Sequence, residues 1–531
     1  MSLPADTESL PFNDLPAMLA AHARARPEAT ALVLGLQRLS YAELDALADR
    51  VAASLQRDGA QPQEVIAICA GSSVEYIALF LGALRAGLAV APLAPSSTAA
   101  QLVGMALDAD AQRFFVDGAV LQAIREAGVV VPSTLPLTRL DAADGQAPLA
   151  PWLLAAPARP APVVIDPAWP FNLIYSSGTT GTPKGIVQSH AMRWAHIQRA
   201  AMSGYDTAAI TLITTPLYSN TTLVSVIPTL ANGGCLVLMA KFDAAAYLRT
   251  AQAERVSHTM LVPVQYQRLM ARPDFADFDL STFRMKFCTS APFLAPLKAD
   301  VLARWPGGLV EYYGMTEGGG TCILQAHLYP DKLHTVGQPA EGHDIRLIDE
   351  DGQEVLEIGA AGEVVGRSGG MMTGYHKQPA KTAEAEWFDA QGQRFIRTGD
   401  VGRFDAEGFL TLFDRRKDMV ISGGFNIYPS DLEAVLRSHP AVADAAVVGV
   451  PSTEWGETPV AFVLRREAAA ETADELRAWF NLQVGKTQRL AGLRLVDELP
   501  RSAIGKVLKR ELREAWGATA AGASAAGSTA G

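Results

Sequence analysis

The sequence predicts an α/β fold: a large N-terminal domain of stacked α/β subdomains that carries a small β-rich subdomain, then a small mobile α+β C-terminal domain. Two observations support this prediction. Between residues 39 and 263, short apolar strands alternate with amphipathic helices, which is the pattern of parallel sheets covered by helices. From about residue 344, short alternating strands are joined by DG and EG turns, which is typical of antiparallel hairpins.

The length of 531 residues exceeds what one hydrophobic core usually supports. We therefore predict an N-terminal domain over 1–415, with its β-rich subdomain at about 340–415, and a C-terminal domain over 416–516. Residues 517–531 lack large apolar side chains, so we predict that they form a disordered tail.

The individual helices and strands are predicted from the spacing of apolar residues and from the residues that begin or end each segment. Residues 39–59 begin with a hydroxyl cap, keep helical apolar spacing and end at glycine, which predicts a helix. EVIAICA and GLAVAPL predict buried strands on either side of a helix at 73–86. Further alternation follows at 207–263. The C-terminal segment predicts two helices, in YPSDLEAVLRSHP and TADELRAWFNLQV, and two strands between them, in AVADAAVVGVP and PVAFVLRR.

Composition excludes several classes of function. The formal net charge of −11 argues against nucleic acid or an anionic membrane as the main partner. The most apolar window, residues 76–95, contains an arginine and reads as a helix followed by a strand, so we expect no membrane span. Four scattered cysteines without a CxxC pair indicate inert thiols in a reducing compartment, and the N-terminus shows no secretory signal. We expect a cytoplasmic protein.

The stretch YSSGTTGTPKG, residues 175–185, has the chemistry of a phosphate-binding loop. Its glycines allow backbone N–H groups to approach a ligand closely, its hydroxyls add donors, and Lys184 adds positive charge. A Walker A loop does not fit, because Pro183 stands where that motif requires glycine and Gly185 stands where it requires Ser or Thr. A glycine-rich surface turn without a ligand remains an alternative at this point.

Three further segments carry candidate ligand-binding residues. EYYGMTEGGG, residues 311–320, offers two tyrosine rings for stacking and two oxygen ligands, Thr316 and Glu317, suited to Mg²⁺. RTGDVGRF places Asp400 in a predicted tight turn, where its carboxylate would bind ribose hydroxyls. PRSAIGK places Lys506 in a Gly–Lys turn before a helix. Each segment alone also fits a purely structural role, but their co-occurrence favours a nucleotide site.

Taken in order, YSSGTTGTPKG, YYGMTE, RTGD, DRRKDMVISGGFNIYPSDLE and PRSAIGK resemble the motifs of the ANL adenylate-forming enzymes. That superfamily comprises acyl- and aryl-CoA synthetases, peptide-synthetase adenylation domains and firefly-type luciferases. The resemblance spans roughly residues 10–512 and points to the AMP-forming acid–CoA ligase branch. It implies that a carboxylate attacks the α-phosphate of ATP, and that CoA then displaces AMP to give a thioester. The implied cofactors are ATP, Mg²⁺ and CoA.

The resemblance also implies residue roles. Lys506, Thr316 and Glu317 would be catalytic, and Glu317 would hold Mg²⁺. Tyr313 would stack on adenine, Asp400 and Arg415 would hold the ribose, and Lys417 would be the hinge of a domain rotation. The implied ATP-binding residues are Ser176, Ser177, Gly178, Thr179, Thr180, Gly181, Lys184, Ser290, Ala291, Pro292, Tyr312, Tyr313, Gly314, Met315, Asp400 and Arg415. The implied CoA-binding residues are Gly423, Gly424, Phe425 and Trp455.

The acid pocket in this family is formed near YGMTE and by the segment after the PL-aromatic motif. The implied pocket residues here are Tyr218, Ser219, Asn220, Thr221, Tyr312 and Gly314. Ser219 replaces the histidine that many relatives carry, and Tyr312 replaces the glycine that admits an aromatic ring in some phenylpropanoid ligases. A large residue at 312 shortens or redirects the pocket, so we expect an aryl or short-to-medium aliphatic acid.

Two other functions remain open. The first is a free-standing adenylation enzyme that loads a separate carrier protein, since no carrier motif such as LGGxSL occurs in the chain. The second is a non-catalytic nucleotide-binding protein, which the presence of Lys506, Glu317 and Asp400 disfavours. The expected partners are a small carboxylic acid, ATP and CoA, with no nucleic acid and no membrane span. We expect a monomer or a homodimer.

Overall fold

The computed structural model describes residues 11–142, 147–149, 152–176, 184–201, 203–415, 418–422, 425–452, 455–467, 469–485, 488–502 and 505–526. Its helices are α1 Leu15–Ala25, α2 Tyr41–Arg57, α3 Val74–Arg85, α4 Ala99–Asp108, α5 Gly118–Glu126, α6 His190–Ala201, α7 Asn220–Ala231, α8 Ala244–Ala253, α9 Pro263–Met270, α10 Ala295–Arg304, α11 Pro379–Glu384, α12 Pro429–Arg437, α13 Ala473–Gln483 and α14 Lys509–Ala526.

The strands before residue 330 are β1 Thr30–Leu34, β2 Gln37–Ser40, β3 Val65–Cys69, β4 Ala89–Pro92, β5 Ala111–Val116, β6 Leu137–Arg139, β7 Pro170–Ser176, β8 Lys184–Ser189, β9 Ile210–Ile213, β10 Cys235–Leu238, β11 His258–Leu261, β12 Met285–Cys288, β13 Gly308–Gly314 and β14 Thr321–Gln325. The later strands are β15 Gln338–Pro339, β16 Asp344–Ile348, β17 Gly362–Arg367, β18 Gly374–Tyr375, β19 Glu386–Phe388, β20 Arg394–Phe404, β21 Leu410–Arg415, β22 Val420–Ser422, β23 Phe425–Ile427, β24 Val442–Ser452, β25 Gly456–Arg465 and β26 Gly492–Val496.

Two compact units divide the chain. The first unit comprises Met1–Ile345 and Gly366–Ile396, and the second comprises Arg346–Val365 and Arg397–Gly531. The division falls within β17 and β20, so it does not coincide with the boundary at 415/416 that the sequence predicts. That predicted boundary stays a prediction.

The first unit contains two sheets whose central strands are parallel. One runs in the order β15-β14-β13-β12-β11-β9-β10-β1-β2, parallel from β13 to β1. The other runs β18-β8-β7-β4-β3-β5-β6. In the second sheet, β7 and β8 pair antiparallel. Parallel strands require crossover connections, and helices on the sheet faces form them here. The alternation of strands and helices that the sequence predicts is therefore present.

One core lies between the helices α1, α2, α3 and α7 and the two sheets of the first unit. Its members include Leu19, Leu44, Phe80, Phe171 and Leu230, all of them buried. The entry to α2 is fixed by a capping box, in which Glu43 N–H donates to Ser40 Oγ at 3.2 Å and Ser40 N–H donates to Glu43 Oε2 at 2.8 Å. The hydroxyl cap predicted from the sequence is thus Ser40.

The second unit contains a sheet in the order β23-β22-β25-β24, with β26 paired to β25. Apolar side chains alternate along β24: Ala445 and Val447 belong to one core with α12 and α13, and Val448 and Val450 belong to another that includes Leu512 of α14. Both faces of this sheet are therefore covered, as its near-continuous apolar sequence requires. In the β-rich segment, β19 and β20 pair antiparallel, and so do β20 and β21.

The last helix differs from the expectation of a disordered tail after residue 516. Helix α14 continues to Ala526, because the segment is rich in alanine, the strongest helix former. Residues 527–531 lie outside the described residues. No helix within the described residues combines the length and the apolar character needed to cross a membrane.

A substitution at Gly82 tests the packing of α3 against α2. A Cβ atom at Gly82 would lie 2.5 Å from Val51 Cβ and 2.8 Å from the Ala48 carbonyl oxygen. We therefore expect Gly82→Ala to destabilise the first unit by about 1–3 kcal/mol through overpacking. The control is Gly104→Ala at an exposed position of α4, where a Cβ atom would have no other atom within 4 Å and alanine should stabilise the helix. The measurement is the melting temperature of each variant, and a Gly82→Ala protein that melts at or above wild type contradicts the described packing.

Candidate functional site

The glycine-rich stretch connects two antiparallel strands. Ser176 ends β7 and Lys184 begins β8, and the two are backbone partners across the ladder. The predicted ligand residues Ser177, Gly178, Thr179, Thr180 and Gly181 lie outside the described residues. A P-loop instead leads from a strand into a helix, so this return strand supports the exclusion of a Walker A loop.

Lys184, Tyr375 and Glu317 form a connected group beside that hairpin. The Lys184 Nζ atom lies 4.7 Å from the centre of the Tyr375 ring, a cation–π contact. The Tyr375 hydroxyl donates to Glu317 Oε1 at 2.8 Å. Burial and the neighbouring carboxylate raise the pKa of Tyr375, so its hydroxyl stays protonated and remains a donor. Tyr375 thus connects Lys184 and Glu317, which are both predicted site residues.

A buried polar network holds the backbone of the YGMTE segment. Gln188 Nε2 donates to the Thr316 carbonyl oxygen at 2.6 Å, and Asn172 Nδ2 donates to Gln188 Oε1 at 2.8 Å. Arg193 donates to Asn172 Oδ1 through Nε at 3.0 Å and through Nη2 at 2.8 Å, and it also bonds to Gln188 Oε1. Burial lowers the pKa of Arg193 to about 9, so it is still a cation at neutral pH.

The glycines after YGMTE allow two backbone segments to touch. A Cβ atom at Gly318 would lie 1.9 Å from the Gly370 carbonyl oxygen, and one at Gly319 would lie 2.6 Å from Ile396 Cβ. Gly318 and Gly320 also have φ values of +74° and +127°, which L side chains rarely adopt. The chain therefore requires glycine here, and the turn after Glu317 is fixed against the segment that precedes Tyr375.

Tyr312 and Tyr313 lie on opposite faces of β13, because successive residues of a strand alternate. The Tyr312 ring stacks on Phe287 at 5.7 Å with an interplanar angle of 22°. Thr289 Oγ1 donates to the Tyr312 carbonyl oxygen at 2.8 Å. Tyr312 is thus packed against β12. The role of Tyr313 as a stacking surface for adenine stays a prediction.

The predicted acid-pocket residues lie at the start of α7, next to the segment after β12. Ser219 is the N-cap residue of α7, and Tyr218 precedes it. Thr221 Oγ1 and Ser290 Oγ lie 2.5 Å apart, with Ser290 in the left-handed region at φ +82°. Asn220 Oδ1 is buried and, among the described residues, has no hydrogen-bond partner. These contacts join predicted pocket residues to the Ser290–Ala291–Pro292 segment.

The second unit carries the other predicted site residues. The prediction that Asp400 lies in a tight turn is wrong, because Asp400 lies within β20 opposite Arg415 of β21. The ladder shifts register between Asp400 and Gly402, and Gly399 has φ +72°, so the strand bends there without ending. Phe425 begins β23, and Lys417, Gly423 and Gly424 lie outside the described residues.

Lys506 is exposed and lies in a closed turn before α14. Gly505 N–H donates to the Ser502 carbonyl oxygen at 2.8 Å, and Ser502 N–H donates to the Lys506 carbonyl oxygen at 2.8 Å. Gly505 adopts φ +77°, which explains the Gly–Lys pair in the sequence. Trp455 is half-buried, and its backbone N–H donates to Ser452 Oγ at 3.3 Å.

Sequence reasoning missed three residues of this site: Tyr375, Gln188 and Arg193. Asn172 and Gln188 are polar residues inside otherwise apolar strands, and such residues need buried partners, which is a usable signal. Tyr375 carries no comparable signal, because its partners are far away in the chain.

Comparison with known proteins identifies the family. The model of the AMP-binding enzyme family matches residues 19–376, and that of the AMP-binding enzyme C-terminal domain matches residues 431–506. The chain belongs to the AMP-binding enzyme family. This AMP-binding enzyme is 32% identical over 505 residues to a feruloyl-CoA synthase from Amycolatopsis sp., with 93% of this chain and 97% of the relative covered.

Two further relatives of the AMP-binding enzyme bear on its activity. A fatty acid–[acyl-carrier-protein] ligase, ScoC of Streptomyces coeruleorubidus, is 28% identical over 510 residues, covering 94% of this chain and 96% of the relative. The crystal structure of ATP-bound MatB from Rhodopseudomonas palustris superposes with a TM-score of 0.85 at 28% identity, covering 95% of this chain and 99% of MatB. These comparisons confirm the predicted α/β fold and membership of the ANL superfamily. They also confirm the predicted enzyme class, an AMP-forming acid–CoA ligase.

Tyr375→Phe tests the contact with Glu317. This change keeps the ring next to Lys184 but removes the hydroxyl that orients the Glu317 carboxylate. If Glu317 binds the magnesium of MgATP, losing this outer-shell donor should weaken the apparent Mg²⁺ affinity in the adenylation reaction by roughly 10-fold. The measurement is the Mg²⁺ dependence of ATP–pyrophosphate exchange.

The control for Tyr375→Phe is Tyr329→Phe, which removes a hydroxyl from an exposed tyrosine outside the site. This variant should keep the wild-type Mg²⁺ dependence. An unchanged Mg²⁺ dependence in Tyr375→Phe would show that the tyrosine hydroxyl does not orient a metal-binding carboxylate.

Proposed function

We propose that the enzyme forms its acyl-adenylate beside Lys184, Tyr375 and Glu317. The contacts that connect these three side chains support this placement. A carboxylate oxygen of the acid attacks the α-phosphorus of ATP, and the bond to the bridging oxygen breaks, so that pyrophosphate leaves. The CoA thiolate then attacks the acyl carbon and AMP leaves with the bonding electrons. Two anions meet in the first step, so fixed positive charge lowers its barrier.

Lys184 and the loop before it would bind the β- and γ-phosphates, the groups that leave as pyrophosphate. Thr316 would contact the α-phosphate, and its carbonyl oxygen is already held by Gln188. Within the described residues no group of three or more His, Cys, Asp or Glu side chains clusters as a metal site. A single carboxylate such as Glu317 nevertheless fits Mg²⁺, which proteins often bind through one carboxylate and the substrate phosphates. When bound, Mg²⁺ would offset phosphate charge.

The second unit would supply the remaining roles. Asp400 and Arg415 would bind the ribose hydroxyls, and Lys506 would bridge the substrate carboxylate and the α-phosphate. Lys417 would be the hinge of a domain alternation between the two steps. After that rotation, Gly423, Gly424, Phe425 and Trp455 would contact CoA. The exposure of Lys506 on a closed turn supports its role, because the turn holds the lysine backbone while the side chain reaches a ligand.

For the acid itself, we propose an aryl or short-to-medium aliphatic substrate. The Tyr312 ring occupies the position of a small residue in some relatives and is held there by Phe287. The segment at Ser219, Asn220 and Thr221 makes the pocket polar. The named activity of the feruloyl-CoA synthase relative supports an aryl acid.

Loading of a carrier protein is the second candidate, because the ScoC relative is named as an acyl-carrier-protein ligase. The oligomeric state and the cytoplasmic location stay predictions.

Lys506→Ala tests the first step. We expect ATP–pyrophosphate exchange to fall by about 10²–10³-fold, because one preorganised charge at the reacting centre is lost. Lys381→Ala is the matched control, since Lys381 is a surface lysine paired with Glu384 on α11. It should keep wild-type exchange. Wild-type exchange in Lys506→Ala would refute the assigned role.

The acceptor is tested by incubating the enzyme with ATP, Mg²⁺, a panel of carboxylic acids and CoA, and following AMP and thioester together. We expect AMP and acyl-CoA in equal amounts for the preferred acid. Pyrophosphate exchange without acyl-CoA, combined with acylation of an added carrier protein, would replace CoA by a carrier as the acceptor.

A further inference from the structure

Arg199 and His343 form a pair near Tyr312 that the reaction described above does not use. Arg199 lies in the last turn of α6, and its Nη1 atom is 3.4 Å from His343 Nε2. Ser203, which follows the helix, places its Oγ 3.5 Å from the Tyr312 hydroxyl. Burial raises the pKa of the Tyr312 hydroxyl, and the nearby charge of Arg199 opposes that rise, so Arg199 lies near this hydroxyl.

The two facing nitrogens are both donors. Thr321 N–H donates to His343 Nδ1 at 2.9 Å, so the Nδ1 atom carries the lone pair. Burial and the Arg199 charge lower the pKa of His343 to about 4, so the ring is neutral at pH 7 and its proton is on Nε2. Arg199 has no acceptor atom. The contact at 3.4 Å is therefore not a hydrogen bond between the two side chains.

Within the described residues, Arg199 also has no anionic partner. It forms no ion pair there, and its polar contact is with His343. Arg193, six residues earlier on α6, is by contrast bonded to Asn172 and Gln188. Arg199 and His343 are both half-buried, so neither side chain is fully enclosed by the described residues. A partly buried guanidinium is usually paired, and the part of the chain that the structure describes supplies no anionic group to Arg199.

The pair is adjacent to the predicted acid pocket. Thr321, which fixes the His343 ring, is the backbone partner of Gly314 across β13 and β14. Gly314 and Tyr312 are both predicted pocket residues. We propose that Arg199 and the Nε2–H of His343 bind a second carboxylate of the acid substrate, so that the enzyme activates a dicarboxylic acid. This inference rests on the proposed function, and it makes Arg199 a specificity-determining residue.

A carboxylate fits this position better than a neutral acceptor does. It accepts several hydrogen bonds at once, so one group would satisfy both donors. It also supplies the negative charge that Arg199 lacks, and charge-assisted bonds to guanidinium are the strong ones. The acid would then bind with one carboxylate at the α-phosphate and the other at the Arg199–His343 pair.

The test compares matched acids. Each straight-chain or aromatic dicarboxylic acid is paired with the monocarboxylic acid in which a methyl group replaces one carboxylate. The wild-type enzyme should show the higher kcat/KM for AMP formation with a dicarboxylic acid. In Arg199→Gln, kcat/KM for that acid should fall roughly 10–100-fold, while kcat/KM for the matched monocarboxylic acid should stay the same or rise.

Two further variants separate charge from folding. Arg199→Lys keeps the charge and should recover part of the preference. Arg125→Gln, at an exposed position of α5, should leave kcat/KM for both acids unaffected. A wild-type preference for monocarboxylic acids, or an equal loss on both acids in Arg199→Gln, would overturn the proposal while leaving acid activation intact.

Binding measured by calorimetry distinguishes this inference from the proposed function. If no acid yields AMP, the proposed function fails. In that case, tight binding of a dicarboxylic acid that is lost in Arg199→Gln would still support the Arg199–His343 pair as a carboxylate site. Equal binding of both acids, or of neither, would overturn it.

Discussion

The hydrogen bonds of the buried Arg193 guanidinium are the constraint on which the first unit's site depends. They fix Asn172 of β7 and Gln188 of β8, and Gln188 in turn holds the Thr316 carbonyl oxygen. A buried cation without acceptors is costly, so these groups are coupled: loss of one leaves the others unsatisfied. The strands that flank the glycine-rich loop and the YGMTE segment are therefore positioned as one body, although they are distant in the sequence.

Glycine residues and buried polar contacts together position the residues of the site. Close contact between the segment after Glu317 and the segment before Tyr375 depends on Gly318, where a Cβ atom would meet the Gly370 carbonyl oxygen. In the same region the Tyr375 hydroxyl donates to the Glu317 carboxylate. The two arginines of α6 have different partners. Arg193 meets amide oxygens of the protein, whereas Arg199 faces another donor. The first arrangement is self-contained, and the second is complete only with an acceptor from outside.

The sequence is sufficient to predict the α/β class and most strands and helices, because these depend on local periodicity. It was not sufficient for Tyr375, whose importance comes from a contact with Glu317 made by tertiary folding. Asp400 was placed in a turn because Gly and Asp favour turns, but pairing with β21 keeps the strand continuous. The last helix is predicted after Lys506, but its extension past residue 516 is not, because low hydrophobicity indicates disorder there while the alanine content favours helix.

The hairpin geometry of β7 and β8 has a consequence for the entropy of ligand binding. Because Ser176 and Lys184 are backbone partners, the two ends of the intervening loop are joined by the ladder when the protein folds. The entropic cost of closing that loop is therefore part of the free energy of folding, and it does not reduce the free energy of nucleotide binding. A phosphate group bound by this loop would therefore meet a segment whose two ends are already joined by the β7–β8 ladder.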